Sequence, residues 1–175
     1  APAFMVAQVL GAAAATLLFR WLVPALPQAA PDILVPHPGA ASTVIFACVH
    51  NAGRSQMAAA FFNAMADASR ARAVSAGTQP GERVHPEVIA AMREVGIDLS
   101  NAQPQRLTPE LANKGNLLVT MGCGEACPAV PGLRRDDWPL TDPKGRPIEE
   151  VRRIRDEIRD RVAALVAAEK WKRSA

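Results

Sequence analysis

The chain has 175 residues and a formal net charge of +3, with 20 lysines and arginines against 17 aspartates and glutamates. This length suits one domain of ordinary size, and a composition of 49% hydrophobic and 21% charged residues excludes a disordered or fibrous chain. The basic excess is too small to argue for a nucleic-acid partner. Three cysteines are too few for a disulfide-stapled secreted fold, so they point to thiol chemistry or a bound metal.

The first predicted element is an apolar segment at residues 3–23, which contains only three clearly polar side chains. About 20 mostly apolar residues span a bilayer, and Arg20 and Trp21 near the end of the segment suit the membrane interface. The alternatives are a buried helix and a signal peptide, but a signal peptide carries its basic residues before the apolar run. We therefore expect a transmembrane helix within residues 1–25, tethering the chain to the inner membrane through residues 3–24.

A linker rich in proline follows at residues 26–42, because this density of prolines excludes a helix or a central strand. Residues 43–175 then alternate between apolar runs of strand length and segments of helical periodicity. This alternation predicts a three-layer α/β/α domain with a parallel sheet, whose ligands bind at the carboxyl ends of the strands. The predicted strands are 43–49, 73–76 and 117–121, and the predicted helices are 55–67, 86–95, one opening at 108–112, and 147–170.

The last predicted helix carries an apolar stripe and many charges. The arginines on its other faces suggest either a polyanion or membrane-surface site, or a solvated face with ion pairs between residues four apart. The acids nearly balance the bases, so we predict the solvated face. The stripe consists of Val151, Ile154, Ile158, Val162 and Leu165.

The first strand ends in a loop that has the features of an anion site. Five residues between a cysteine and an arginine can curl so that their backbone N–H groups converge on one anion, and the following helix adds its positive N-terminal dipole. Asn51 and Gly53 accept the unusual dihedral angles of such a curl, and the fork of Arg54 holds two oxygens. The loop reads Cys48-Val49-His50-Asn51-Ala52-Gly53-Arg54-Ser55, and the predicted oxyanion site comprises Val49 to Ser55.

Cys48 lies at the base of this loop, where a helix N-terminus and a cationic neighbour favour the thiolate form. Ser55 can donate a hydrogen bond to the sulfur. The alternative is a buried cysteine that precedes an arginine by chance, and the position between a strand and a helix argues against it. A thiolate in a pocket for a tetrahedral oxyanion predicts nucleophilic attack on phosphorus or arsenic.

The leaving oxygen of such an attack needs a general acid. The best candidate is Asp142, since the following Pro143 sets a turn that can aim the carboxylate. Asp136 and Asp137 are alternatives, although we interpret them as surface or turn residues.

The other two cysteines, Cys123 and Cys127, follow the third strand and so belong to the same edge of the sheet as the anion loop. Three intervening residues allow them to bond to each other. Zinc would need further ligands, and His37, His50 and His85 lack the spacing of metal ligands. Two cysteines in a loop rich in glycine and proline are poorly placed to be inert, buried thiols of the core. A redox pair is therefore favoured, with no bound metal and no cofactor.

These motifs together resemble the thioredoxin-coupled arsenate reductases built on the low-molecular-weight tyrosine phosphatase fold. The resemblance covers about three quarters of the chain, from Val44 to the last helix, and implies a four-stranded parallel sheet flanked by helices in a cytoplasmic domain. It rests on Cys48–Ser55 with Gln56 and Met57, on Val74–Gly77, on Gly96–Ser100, on Val119–Met121 with Cys123 and Cys127, and on Trp138 with Asp142 and Pro143.

The resemblance implies a mechanism and a biological role in arsenic detoxification. Cys48 attacks arsenate while Asp142 protonates the departing oxygen. Cys123 then attacks Cys48 and releases arsenite, and Cys127 attacks Cys123. The resulting Cys123–Cys127 disulfide is exposed for reduction by thioredoxin.

The chain departs from the family pattern in two respects. Some members bind a potassium ion at positions that correspond here to Ala59 and Gln105, so we predict no such ion. The spacing from Cys123 to Cys127 is also shorter than in some relatives.

The N-terminal segment has its own resemblance, at residues 7–12 and around them, to the last membrane helix of an aquaporin-type channel. This implies a fusion of a channel with a reductase, in which the reductase domain is cytoplasmic and arsenite leaves through the channel. Arg20, on the linker side of the helix, agrees with a cytoplasmic C-terminal end.

Three alternative functions remain open. A low-molecular-weight tyrosine phosphatase needs neither Cys123 nor Cys127, and it commonly carries tyrosines after its Asp-Pro pair, where this chain has Lys144 and Gly145. A non-catalytic oxyanion sensor leaves the two loop cysteines and Asp142 unexplained. A reductase coupled to mycothiol or glutaredoxin has no use for one of the extra thiols.

Overall fold

The computed structural model describes residues 41–123, 127 and 131–172. These lie in the second of the two units into which the chain divides, residues 39–175. The predicted transmembrane helix and most of the proline-rich linker lie outside the described residues. Within the described part, no helix is both long and apolar enough to cross a membrane.

The domain has a four-stranded, fully parallel sheet with the strand order β2-β1-β3-β4. Val44 in β1 aligns with Ala73 on one side and with Leu117 on the other. The strands are β1 (Ser42–Cys48), β2 (Ala71–Gly77), β3 (Leu117–Thr120) and β4 (Arg134–Asp137), and the helices are α1 (Arg54–Met65), α2 (Pro86–Arg93), α3 (Pro109–Ala112) and α4 (Ile148–Ala168). The three predicted strands and four predicted helices are confirmed, with ends that differ by up to two residues.

Sequence reasoning did not find the strand β4. Its residues, Arg134-Arg135-Asp136-Asp137, are all charged and all exposed, so they lack the apolar run of a buried strand. Among the described residues the backbone of β4 pairs only with β3, which makes β4 the edge strand of the described sheet. Charged side chains on an edge block pairing with another chain. The interpretation of Asp136 and Asp137 as turn residues is therefore wrong, although they do lie at the surface.

Side chains of β1 alternate between two apolar clusters, one on each face of the sheet. Phe46 and Cys48 belong to the larger cluster, which packs against α1, α2 and α4. The ring of Phe46 lies 5.9 Å from that of Phe62 and 5.7 Å from that of Trp138. The smaller cluster contains Ile45, Ala47, Ala76, Leu107, Ala112, Leu118, Cys123 and Cys127. Cys48 and the other two cysteines thus belong to different clusters.

The helix α4 buries its predicted apolar stripe, except that Leu165 is partly buried and Val166 is buried beside it. Partly exposed arginines form ion pairs along the helix, including Arg161 with the exposed Glu157, which confirms the predicted solvated face. Arg155 is different, because it is 7% exposed and joins α4 to α2.

Candidate active site

The anion loop is the turn between β1 and α1. Asn51 has a φ of 50°, a left-handed conformation that asparagine adopts more readily than most residues. The backbone after β2 runs beside the loop, where Gln79 N–H donates to the carbonyl of Val49 at 2.9 Å. A Cβ atom on Gly77 would lie only 2.6 Å from that same carbonyl oxygen, so the close approach requires glycine.

Cys48 is free, 2% exposed, and surrounded by hydrogen-bond donors. Its Sγ lies 3.2 Å from the N–H of Asn51 and 3.0 Å from Oγ of Ser55. The side-chain amide of Asn51 donates to Ser55 Oγ at 2.8 Å, so the hydroxyl hydrogen of Ser55 remains available for Cys48. Two hydrogen-bond donors are therefore directed at the Cys48 sulfur. The predicted contact between Ser55 and Cys48 is present.

Asn51 is also a structural centre that sequence reasoning missed. Its Oδ1 accepts from the backbone N–H of Gln105 at 2.8 Å and from the side-chain amide of Gln56 at 3.3 Å. Gln105 in turn donates its side-chain amide to the carbonyl of Ser75 at 2.8 Å. The sequence assigns Asn51 a backbone role only, because its partners lie far away along the chain. The signal available in the sequence is an amide side chain that lies between Cys48 and Ser55 in the loop.

Arg54 is 6% exposed and presents its guanidinium beside the loop. Nη2 donates to Oδ2 of Asp142 at 2.7 Å, and Nη1 donates to the carbonyl of Leu140 at 2.9 Å. Nε is buried and has no partner among the described residues. Gly122 has a φ of 76°, and a Cβ atom at this position would lie 2.8 Å from Nη1 of Arg54. The two bonds hold the guanidinium in place, and Nε keeps its N–H free of protein partners among the described residues, as suits an oxyanion site.

Of the three candidate acids, the structure brings only Asp142 to Arg54. The side chain of Asp142 is 40% exposed, and its Oδ1 accepts from the N–H of Lys144 at 3.1 Å. The carboxylate of Asp136 accepts from the indole N–H of Trp138, and that of Asp137 accepts from the hydroxyl of Thr120. Both of these carboxylates bond to residues outside the anion loop, whereas Asp142 bonds to Arg54, so Asp142 is the candidate placed to act on a bound anion.

The rim of the site is formed by Pro143 and His85. A Cβ atom on Gly53 would lie 2.8 Å from Cγ of Pro143, so glycine allows Pro143 to approach the loop, and it would be in ordinary contact with Cδ2 of His85 at 3.7 Å. Burial lowers the pKa of His85 below its usual value, and the nearby carboxylates of Glu87 and Asp142 oppose this shift.

Cys123 and Cys127 form a disulfide with a Cα–Cα distance of 5.8 Å, so the predicted bonding between them is present. The expectation of an exposed disulfide is wrong, since Cys123 is 5% exposed and Cys127 is 3% exposed. The pair packs in the smaller apolar cluster, against residues such as Ile45 and Leu118. No group of three metal-ligating side chains occurs among the described residues.

The predicted site residues therefore divide into two groups. The anion loop with Arg54, Ser55 and Asp142 is assembled around Cys48, and the Cys123–Cys127 pair lies in the other apolar cluster. An anion loop with a buried free cysteine, a guanidinium and a facing carboxylate defines a class of cysteine-dependent enzymes with a parallel α/β fold.

Comparison with known proteins places the chain within this class. The chain belongs to the low molecular weight phosphotyrosine protein phosphatase family, whose model matches residues 43–175. The arsenate reductase of Staphylococcus aureus is 37% identical over 121 residues, which cover 67% of this chain and 90% of the relative.

Two solved structures are also similar. The thioredoxin-dependent arsenate reductase of Corynebacterium glutamicum is 33% identical with a TM-score of 0.65, covering 86% of this chain and 70% of that one. The arsenate reductase of Archaeoglobus fulgidus is 33% identical with a TM-score of 0.61, covering 71% of this chain and 98% of that one.

Proposed function

We propose that this protein reduces arsenate to arsenite, with Cys48 as the nucleophile and with Cys123 and Cys127 as a redox shuttle. The observation that carries the proposal is a free Cys48 at the anion loop in the same domain as a Cys123–Cys127 disulfide. A phosphatase needs the first feature and has no use for the second. The relatives named as arsenate reductases support the same conclusion.

In the first step, arsenate binds between the backbone N–H groups of residues 49–55 and the guanidinium of Arg54. The Cys48 thiolate, stabilised by Ser55, attacks arsenic and forms an S–As bond. Asp142 gives its proton to one arsenate oxygen, which leaves as water. The loop and Arg54 hold the negative charge that remains on the other oxygens.

In the second step, the thiolate of Cys123 attacks Sγ of Cys48. The S–As bond breaks and its electron pair stays on arsenic, which leaves as trivalent arsenite, while the two cysteines form a disulfide. Cys127 then attacks Cys123, which frees the Cys48 thiolate and joins Cys123 to Cys127. The last pairing is the one present in the structure, and this supports the proposed order of steps.

Thioredoxin is the proposed reductant of the Cys123–Cys127 disulfide. A dithiol reductant regenerates both shuttle thiols in one exchange, whereas a monothiol system such as mycothiol leaves one of them without a role. The thioredoxin-dependent relative from Corynebacterium glutamicum supports this choice.

The test is a coupled assay of thioredoxin-dependent NADPH oxidation with arsenate, for the wild type and for Cys123→Ser and Cys127→Ser. We expect multiple turnovers in the wild type only, because each variant lacks one member of the relay. Full activity in either variant would contradict the relay. Hydrolysis of a phosphate ester without any consumption of arsenate would instead favour the tyrosine phosphatase alternative.

We also propose that residues 3–24 anchor the chain in the inner membrane as the last helix of an aquaporin-type channel, with residues 43–175 as a cytoplasmic reductase domain joined by the linker at 26–42. The support is the apolar length of the segment and the arginine at its linker end. Expression of the complete gene product in vesicles tests this. Arsenite permeability should rise above that of empty vesicles, and an unchanged permeability would contradict the fusion.

A further inference from the structure

The segment that carries Asp142 lies between β4 and α4, and we refer to residues 139–146 as the acid loop. Its most direct contacts with the anion site are those from Arg54 to the carboxylate of Asp142 and to the carbonyl of Leu140. The guanidinium of Arg54 is also the group that binds two oxygens of an oxyanion. The substrate therefore competes for the same guanidinium, so this contact alone cannot fix Asp142 during the reaction.

A second anchor of the acid loop does not involve the anion site. The N–H of Gly145 donates to Oε1 of Glu87 at 2.7 Å, across 58 residues of sequence. Gly145 has a φ of 66° and closes a tight turn in which Asp142 Oδ1 accepts from the N–H of Lys144 at 3.1 Å. The position of Gly145 therefore constrains the position of the Asp142 carboxyl group through this turn.

Glu87 is itself held in a fixed place relative to the anion loop. It is the second residue of α2, where a negative charge is favoured by the helix dipole. The N–H of His85 donates to the carbonyl of Ala52 at 2.9 Å, so the start of α2 is tied to the anion loop. These contacts form a closed ring. It runs from the anion loop to the start of α2, then through Glu87 to the acid loop, and back to the anion loop through the bond between Asp142 and Arg54.

We propose that Glu87 is a positioning residue, which holds the acid loop so that Asp142 delivers its proton to the leaving oxygen. The inference rests on the proposed function, because it concerns the general acid of arsenate reduction. A hydrogen bond to a carboxylate is about twice as strong as one between neutral groups, so the charge of Glu87 contributes to the anchor.

The test is a single-turnover experiment, in which fully reduced protein is mixed with arsenate in the absence of thioredoxin and the arsenite formed is measured over time. Glu87→Ala should lower the rate constant at saturating arsenate about tenfold while the half-saturating arsenate concentration changes less than about twofold. Asp142→Asn should lower it about 100-fold. The double variant should be no slower than Asp142→Asn alone, because Glu87 acts through Asp142.

Glu110→Ala is the matched control, since Glu110 is likewise the second residue of a helix that begins with proline, and its rate should equal that of the wild type. Glu87→Gln keeps an acceptor oxygen without the charge and should fall between Glu87→Ala and the wild type. Equal slowing of the wild type and of Asp142→Asn by the Glu87 change would overturn the proposal, as would a change in half-saturation alone. A wild type that leaves arsenate unreduced would instead remove the proposed function.

Discussion

Asn51 combines a backbone and a side-chain role within one residue. Its φ of 50° turns the loop after Cys48, and its side chain joins Ser55 to the backbone of Gln105. The backbone role follows from the sequence pattern, because asparagine tolerates this conformation. The side-chain role follows only from the fold, which brings Gln105 to the loop from a position 54 residues away.

Removal of the Asn51 side chain separates these two roles. Asn51→Gly keeps the positive φ and deletes the buried hydrogen bonds, so we expect the unfolding free energy to fall by about 2 kcal/mol. Arsenate turnover should fall more than tenfold, an order-of-magnitude expectation for a misplaced catalytic group. Urea denaturation and the coupled assay measure the two effects, with the exposed Asn101→Ala as the control. Wild-type turnover in Asn51→Gly would show that Ser55 does not depend on Asn51.

At the scale of elements, α2 and α4 are joined by a cluster of charges around Arg155. The guanidinium of Arg155 donates to the carbonyl of Ala91 at 2.8 Å and to Glu94 at 3.0 Å. Arg152 adds three further hydrogen bonds to the same carboxylate. Hydrogen bonding from Arg152, together with that from Arg155, lowers the pKa of Glu94 to about 2. Helical periodicity predicts α4 and its apolar stripe, but it does not indicate which arginine is buried against a neighbouring helix.

This cluster makes the stability of the domain depend on pH in acid. The pKa of Glu94 is lower in the folded chain than the ordinary 4.5, so its contribution is complete above about pH 4.5 and is lost as the pH falls towards 2. Glu94→Gln should therefore lower the urea midpoint at pH 7, and its difference from the wild type should shrink at pH 3. The exposed Glu82→Gln is the control. A difference that is the same at both pH values would contradict the assigned role of the carboxylate.

At the scale of the whole molecule, the members of the proposed relay pack in two different apolar clusters. Cys48 lies in the larger apolar cluster, and the Cys123–Cys127 disulfide lies in the smaller one with Leu107. A reductant must approach a disulfide sulfur directly, so burial of the pair hinders its reduction. Burial of this pair is therefore expected to slow the recycling of the proposed shuttle.

Reduction of the disulfide by dithiothreitol should be at least about tenfold slower in the folded domain than in urea, since access governs thiol–disulfide exchange. Leu107→Ala removes a side chain from the cluster that covers the disulfide and should speed this reduction. Leu117→Ala, in the other cluster, is the matched control. It should lower the free energy of unfolding by a similar amount, about 2–5 kcal/mol, without uncovering the disulfide. Equal acceleration by both variants would mean that global unfolding, not local cover, limits the reaction.

Much of the fold is encoded in local patterns. The apolar runs of β1 and β3 and the periodicity of the helices predict a parallel α/β domain, because burial on both faces demands continuous apolar strands. The strand β4 escapes such reasoning, since four charged residues become a strand only through backbone pairing with β3.

The chemistry of the site is predicted from the amino-acid pattern alone, because the spacing from Cys48 to Arg54 and the two further cysteines are local patterns with a local physical meaning. The folded structure was needed to show which carboxylate faces Arg54 and that the disulfide is buried. Both depend on contacts between segments far apart in the chain. Local patterns record which groups a segment carries, whereas packing of the whole domain determines which of those groups meet and which are shielded from solvent.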